Sequence, residues 1–209
     1  MDTPLEAIER DFAACIELAD SLQPQATNSR SKESYQPGIG PHSEAQTVEL
    51  VAEAMRRRAP TVYDGRLVTG VSYPELSRQR CDLCIGLSPD WEWAIEVKML
   101  RMLGDNGKAN DNILMHILSP YPTHRSALTD CTKLVLSQLR GRRAILIYGY
   151  EHADWPLEPA IAAFESLARE RVRMGKRHAA PFGGLIHPIH SSGMVFGWEI
   201  EAKSISPGT

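Results

Sequence analysis

The sequence predicts an α/β protein in which a mixed sheet is flanked by helices. Three observations favour this class. Apolar residues recur at three- and four-residue steps near the N-terminus, as on one face of an amphipathic helix. Three segments between residues 66 and 100 have the composition and the turn residues of neighbouring strands. Residues 143–151 form an almost unbroken apolar run, which is typical of a buried strand.

The predicted elements divide one domain, residues 1–209, into four parts. Residues 1–23 hold the N-terminal helix, whose apolar stripe runs from Leu5 to Leu22. Residues 24–41 are rich in Ser, Pro, Gly and Gln, which indicates a loop. Residues 42–151 form the core, with the element order α-β-β-β-α-β. Residues 152–209 add a helix and a β-hairpin to it.

Within the core, Ser43 is placed to cap a helix that ends near Arg58. Strands are then expected at 66–73, 80–87 and 91–100, followed by a second helix at 126–139 and the buried strand. Beyond the core we expect a helix at 157–172 and a closing hairpin formed by 183–190 and 194–203. Pro188 would place the first strand of that hairpin at a sheet edge.

The composition is that of an ordinary globular protein, with 43% hydrophobic and 23% charged residues and a formal net charge of −3. This balance argues against a disordered or fibrous chain and against binding nucleic acid through bulk charge. No apolar run reaches membrane-spanning length, and the first residues lack the layout of a signal peptide. We therefore expect a cytoplasmic protein without a membrane partner, and reduced thiols at Cys15, Cys81, Cys84 and Cys131.

Polar and apolar side chains alternate along the second and third predicted strands. Alternate residues of a strand share a face, so Glu96 and Lys98 project together and Asp82 projects away from the apolar side of its own strand. If the two apolar faces coincide, as burial requires, Asp82, Glu96 and Lys98 converge. We expect Asp82 to lie opposite Glu96 or Lys98, which calls for a loop of odd length. The apolar faces comprise Cys81, Leu83, Ile85 and Leu87 on one strand and Trp93, Ile95, Val97 and Met99 on the other.

Two carboxylates and an ammonium group on strands otherwise built for a core are costly without a partner. A divalent cation would relieve that cost, and carboxylate oxygens suit Mg²⁺ or Mn²⁺. Such an ion can polarise a phosphate and lower the pKa of a bound water. The chemistry indicated is phosphodiester hydrolysis.

Asp82, the Glu96-Val97-Lys98 triplet, an upstream helical glutamate and the α-β-β-β-α-β order together resemble the PD-(D/E)XK, or restriction-endonuclease-like, nuclease superfamily. The resemblance covers about residues 43–151, and Cys81 stands where the family usually has proline. It implies a restriction-endonuclease-like core that hydrolyses DNA, with a duplex as the expected substrate. It also implies that Asp82 and Glu96 hold the Mg²⁺ ion, that Lys98 serves the attacking water and that Glu44 assists.

Glu44 is preferred to Glu49 for the supporting role because of its position on the first core helix. Glu44 precedes Val48 by four residues and Val51 by seven, which are same-face steps, whereas Glu49 is about 140° away. An alternative interpretation is that Glu44 is a first-turn acid that favours the helix dipole.

Two other interpretations remain open for the strand residues. Glu96 and Lys98 could form a solvent-facing ion pair on an edge strand, with Asp82 as a cross-strand neighbour. The chain could also be a non-cleaving module that keeps the fold and binds nucleic acid or a protein. The discriminating feature is the intact set of three charges, which favours an enzyme.

Other motifs are interpreted as structural. Cys81-x-x-Cys84 is a poor zinc site because positions three apart on a strand face opposite sides and the chain has no second such pair. By the same geometry, His187 and His190 are expected to diverge on an edge strand.

Candidate contacts to nucleic acid are the basic segments 56–58, 140–143 and 169–177, each of which could instead complement a helix dipole. Arg125 could anchor a phosphate, but an ion pair with Asp130 is preferred. We also expect a homodimer, because two-fold symmetry is the simplest way to cut both strands with one site per chain. The N-terminal helix is the expected contact, since its stripe lies outside the predicted core. The sequence leaves open DNA or RNA as the target and the biological role.

Overall fold

The computed structural model describes residues 3–27 and 32–202. The remaining parts of the expected N-terminal helix, loop and hairpin, residues 1–2, 28–31 and 203–209, lie outside the described residues. The helices are α1 (Leu5–Ser21), α2 (Glu44–Arg58), α3 (Pro60–Tyr63), α4 (Met115–Leu118), α5 (Ala127–Leu136) and α6 (Glu158–Arg171), with a 3₁₀ helix at Pro122–His124. The strands are β1 (Leu67–Tyr73), β2 (Leu76–Leu87), β3 (Asp90–Leu100), β4 (Arg142–Tyr150), β5 (Arg173–Met174), β6 (His178–Phe182) and β7 (Gly193–Glu201).

The strands form one seven-stranded mixed sheet in the order β1-β2-β3-β4-β7-β5, with β6 also paired to β7. The β3–β4 pair is parallel and the other pairs are antiparallel. The parallel pair is connected through α4 and α5, as a crossover requires. β3 therefore lies inside the sheet, between β2 and β4. Apart from short helical turns, the order from α2 to β4 is the predicted α-β-β-β-α-β.

Helices cover both faces of the sheet. Residues of α1 and α2 pack on one face against apolar side chains of β2, β3 and β4, including Leu83, Ile95 and Leu146. Residues of α4, α5 and α6 pack on the other face against β4 and β7, including Ile145 and Trp198. Glu96 and Lys98 alternate with the first set and point to the α5 side.

The N-terminal helix was expected to offer its apolar stripe to a second copy, and this expectation is wrong. Ile8, Phe12 and Ile16 of α1 are fully buried in the core of their own chain. Helix α1 packs against α2, β6 and β7. The helix precedes the α-β-β-β-α-β segment in sequence, but its apolar stripe is part of the same core. The predicted homodimer is thereby left without an assigned contact.

The closing hairpin is also placed differently from the prediction. Its second strand is β7 as expected, but the first is β6, residues 178–182, and residues 183–190 connect the two strands. Pro181, rather than Pro188, is the proline of the edge strand. His187 and His190 do not diverge: they lie in the connection with their rings stacked, 4.7 Å between centroids.

A β-bulge sets the register between β2 and β3. The turn between these strands has two residues, so the predicted odd-length loop is wrong, and its first pairs are Leu87 with Asp90 and Gly86 with Trp91. At Gly86, whose φ is +122°, the register shifts, and the pairs beyond it are Ile85 with Trp93 and Leu83 with Ile95. The extra residue restores the parity that places the side chains of Asp82 and Glu96 on one face.

None of the helices in residues 3–27 and 32–202 has the length and apolar character needed to cross a lipid bilayer.

Candidate active site

The two strands that carry the predicted site separate where the site begins. β2 pairs with β1 along most of its length, but its pairing with β3 starts only at Leu83. Beyond Ile95, backbone amides of β3 that would face β2 are taken by carboxylates instead. The Val97 amide donates to Asp82 Oδ2 at 2.8 Å, and the Met99 amide donates to Glu44 Oε2 at 2.7 Å. The gap between the strands thus opens a cleft whose floor is acidic.

The structure brings all four predicted site residues to this cleft, whose volume is about 490 Å³. Lys98 Nζ lies 3.2 Å from Glu44 Oε1, and Glu96 is 1% exposed. Two residues of α5 that sequence reasoning did not select complete the arrangement. We call the six residues the acidic cluster: Glu44, Asp82, Glu96, Lys98, Asp130 and Lys133.

The two residues from α5 link the acidic cluster together. Lys133 Nζ lies 2.8 Å from Glu96 Oε1 and 2.7 Å from Asp130 Oδ1. Asp130 Oδ2 is 2.9 Å from Lys98 Nζ. The Tyr73 hydroxyl donates to Glu96 Oε1. The ion pair expected between Arg125 and Asp130 is therefore replaced by pairs from Asp130 to the two lysines.

The sequence contains a signal from which Asp130 and Lys133 could have been predicted. Asp130 lies three residues after Ala127 and four before Leu134, both of which are buried, so it falls on the apolar stripe of α5. A carboxylate on such a stripe needs a partner. Lys133 follows it by three residues, which is a same-face step on a helix.

The position of Glu44 follows from the start of α2. Ser43 caps this helix and forms a capping box with Gln46, which fixes where the first turn begins. Glu44 is the first residue of the helix and reaches Met99 and Lys98 on β3. Glu49 instead lines a separate surface depression. The contacts of Glu44 go beyond those of an acid that only favours the helix dipole.

The acids of the cluster are held in an unfavourable environment for negative charge. Burial raises the pKa of Glu96 well above its usual value, and the charges of Asp82 and Asp130 add to this effect. Burial also raises the pKa of Glu44, although Lys98 opposes it. With four carboxylates against two ammonium groups, the fully ionised cluster carries an excess of two negative charges.

The two lysines respond in the opposite direction. Burial lowers the pKa of Lys98, but the carboxylates, first among them Asp130 and then Glu44, outweigh it and raise the pKa above the usual value. The same balance raises the pKa of Lys133, with Glu96 as the largest favourable charge. Both side chains therefore stay cationic at neutral pH.

The surface ion-pair interpretation is wrong. Glu96 is 1% and Lys98 8% exposed, and β3 is an interior strand rather than an edge strand. The cysteine pair also departs from expectation, because Cys81 and Cys84 lie together in the small core next to Ala94. The Cys81 thiol donates to the Ile95 carbonyl oxygen across the gap between β2 and β3. All four cysteines are free and buried, as expected of reduced structural thiols.

A basic rim surrounds the acidic floor, and it does not come from the segments that the sequence indicated. Among residues 3–27 and 32–202, the cationic or titratable side chains at the rim are Arg78, Arg80, His116, His124 and Arg125. Arg57, Arg140 and Arg177, from the three basic segments, pair instead with carboxylates elsewhere on the protein.

Within the described part of the chain, no group of three or more His, Cys, Asp or Glu side chains is arranged to hold a metal ion. The chemistry of the donor set nevertheless fits Mg²⁺, which takes one or two carboxylates and keeps several waters. One oxygen each of Asp82 and Glu96, Oδ1 and Oε2, accepts no hydrogen bond from a described residue. The excess of two negative charges equals the charge of one divalent ion. These two carboxylates could hold it.

Comparisons of the chain with protein-family models, with curated proteins and with solved structures find no match.

Proposed function

We propose that the protein is a divalent-metal-dependent nuclease that hydrolyses phosphodiester bonds in DNA, with a restriction-endonuclease-like core. The observation that carries the proposal is the acidic cluster. Asp82 and Glu96 lie on one face of neighbouring strands, in a cleft with Lys98, and the cluster has four carboxyl groups against two ammonium groups. Such a charge excess in a buried site favours binding of a cation.

In this proposal Asp82 and Glu96 hold Mg²⁺, or Mn²⁺ in its place. The ion supplies a Lewis acid for the phosphate and lowers the pKa of a coordinated water. The protein contributes the position of the carboxylates. Asp82 is fixed by the Val97 amide, and Glu96 is fixed by Tyr73 and Lys133, so neither needs to reorganise before the reaction.

Lys98 acts as a cation in this proposal and not as a general base. Its raised pKa keeps it protonated, so its positive charge can orient the attacking water and stabilise the negative charge that develops on the phosphate. Glu44 and Asp130 hold the ammonium group from two sides, at 3.2 and 2.9 Å. We assign them a positioning role.

The basic rim suits a polyanionic substrate. Arg78, Arg80 and Arg125 line the upper part of a cleft whose floor is acidic. Phosphate groups next to the scissile bond would meet guanidinium groups, which bind phosphate through two donors at once. The combination of an acidic floor and a basic rim favours a nucleic acid over a neutral substrate.

The test is cleavage of four substrates, each with Mg²⁺, Mn²⁺ or EDTA: supercoiled plasmid, linear duplex, single-stranded DNA and RNA. We expect cleavage of DNA only with the metal, and a loss of about a thousandfold or more in Asp82→Ala, as for a metal ligand. Asp90→Ala is the matched control, because Asp90 lies at the far end of β3 with an exposed side chain paired to Arg140.

Cleavage that survives in EDTA, or an Asp82→Ala protein that cuts like the wild type, would contradict the proposal. Binding of DNA without cleavage in either metal would favour the non-cleaving module.

A further inference from the structure

A second pocket, of about 320 Å³, opens beside the cleft, and its wall is largely apolar. Leu76 of β2 forms one part of the wall, Pro120 and Pro122 precede α5, and Leu136 is the last residue of α5. We call this pocket the annex.

The annex is continuous with the candidate active site. Gln79, Arg125, Asp130 and Lys133 line both the annex and the cleft. A ligand with one part in each would therefore pass the acidic cluster without leaving the protein surface. A substrate whose reacting group lies in the cleft therefore has the annex directly beside it.

The apolar wall of the annex is exposed to solvent, unlike an apolar surface that belongs to the protein core. Leu136 is 75% exposed, more than any other large apolar residue in the described part of the chain. Single exposed leucines are common, but this one borders a concave pocket next to a charged cluster. An apolar surface in this position gains from contact with a flat apolar ligand.

We propose that the annex holds an unpaired nucleobase of the strand whose phosphodiester lies in the cleft, so that the substrate is single-stranded or locally unpaired DNA. The inference rests on the proposed function, which places the phosphodiester in the cleft. The faces of a base are apolar and fit the wall of leucine and proline. The Gln79 carboxamide offers a donor and an acceptor to the edge of a base.

Charge favours a strand over a free base. Arg125 lines both pockets, and Arg171 lines the annex but not the cleft. Phosphates that flank a base in the annex would therefore have guanidinium partners within the same surface. A base in a duplex is stacked and paired and can enter a walled pocket only after it leaves the stack. The annex consequently favours a strand in which that cost is absent.

The test measures binding in the Glu96→Gln background, with Mg²⁺ present, so that cleavage does not interfere. The probes are a fluorescein-labelled 12-nucleotide single strand, the duplex of the same sequence and a single strand of the same length made of abasic nucleotides. We expect the single strand to bind about tenfold more tightly than either of the others, because only it offers unstacked bases.

Leu136→Ser should weaken binding of the single strand about fivefold or more by removing apolar contact, and leave binding of the duplex unchanged. Leu87→Ser is the matched control, since Leu87 is 67% exposed at the turn between β2 and β3. It should change neither. Equal affinity for the single strand and the abasic strand would overturn the proposal that the annex holds a nucleobase. An unchanged affinity for the single strand in Leu136→Ser would overturn it as well.

The experiments distinguish a failure of the proposal that the annex holds a nucleobase from a failure of the proposed hydrolysis. A protein that binds the single strand through Leu136 but whose wild type cuts nothing in Mg²⁺ supports the annex and refutes hydrolysis. A wild type that cuts DNA while Leu136→Ser binds and cuts both substrates normally refutes the annex and leaves hydrolysis standing.

Discussion

Two buried carboxylates on the same side of the sheet, Glu96 of β3 and Glu165 of α6, have opposite electrostatic environments. Glu165 of α6 accepts hydrogen bonds from Arg177, at 2.8 and 3.0 Å, and from the Trp198 indole at 2.7 Å. The hydrogen bonds from Arg177 lower the pKa of Glu165 to about 2, although burial opposes them. At Glu96, burial and neighbouring acids raise the pKa instead.

This difference in surroundings indicates that Glu165 has a structural role, whereas Glu96 is available to bind a ligand. Around Glu165 the cations and donors satisfy the carboxylate, and nothing further is needed to hold it there. Around Glu96 the acids outnumber the cations by two within the acidic cluster. A protein can maintain such an excess at the cost of stability, and it is expected where a ligand supplies the missing charge.

The same substitution at the two carboxylates should have unequal effects on stability. Glu165→Gln leaves Arg177 without its main partner and should lower the free energy of unfolding by about 2–4 kcal/mol. Glu96→Gln removes one of several like charges and, without metal, should change it by less than about 1 kcal/mol. Urea denaturation at pH 7 in EDTA measures both.

The loss in Glu165→Gln should also depend on pH. Because the folded-state pKa is lowered to about 2, the carboxylate contributes its full stability above its ordinary value of 4.5 and loses it as the pH falls toward 2. The gap between wild type and variant should therefore narrow below about pH 4.5. A larger loss in Glu96→Gln than in Glu165→Gln would contradict the comparison.

Glu9 of α1 sharpens the comparison, because it is 1% exposed and lies outside both networks. Burial raises its pKa to about 8. Because the folded-state pKa is raised, protonated Glu9 makes its full contribution to the free energy of unfolding below about pH 4.5. That contribution is lost as the pH rises through 8. Because each pKa unit between 4.5 and about 8 is worth about 1.4 kcal/mol, Glu9→Gln should be more stable than the wild type by about 4 kcal/mol at pH 8 and nearly equal to it near pH 4.5. Thermal unfolding across this range tests the prediction, and a constant difference would refute it.

The sequence predicts the fold best in long segments with a clear apolar pattern. β3 and β4 begin and end within one or two residues of the predicted segments, since each is a long strand rich in buried side chains. The first strand of the closing hairpin is wrong because β6 has only five residues and contains Pro181. The apolar residues after it, such as Leu185, are buried by tertiary packing of a loop rather than by a strand.

The candidate site is predicted only as far as local geometry reaches. Strand alternation and helix phase predict which faces of their own elements Glu44, Asp82, Glu96 and Lys98 occupy. The parity that joins Asp82 to Glu96 depends on the bulge at Gly86, which a two-residue turn does not reveal. Asp130 and Lys133 can be recognised on the apolar stripe of α5, but their pairing with Lys98 and Glu96 depends on how α5 packs on the sheet, which local geometry does not give.

The measurement that tests the central claim most directly is thermal unfolding of the wild type and Glu96→Gln in EDTA and in Mg²⁺. A ligand that binds only the folded state raises its melting temperature. We expect Mg²⁺ to raise that of the wild type by roughly 2–4 °C, equivalent to about 1 kcal/mol, and to leave Glu96→Gln unchanged. Equal shifts in the two proteins, or no shift in the wild type, would contradict a metal site at the acidic cluster.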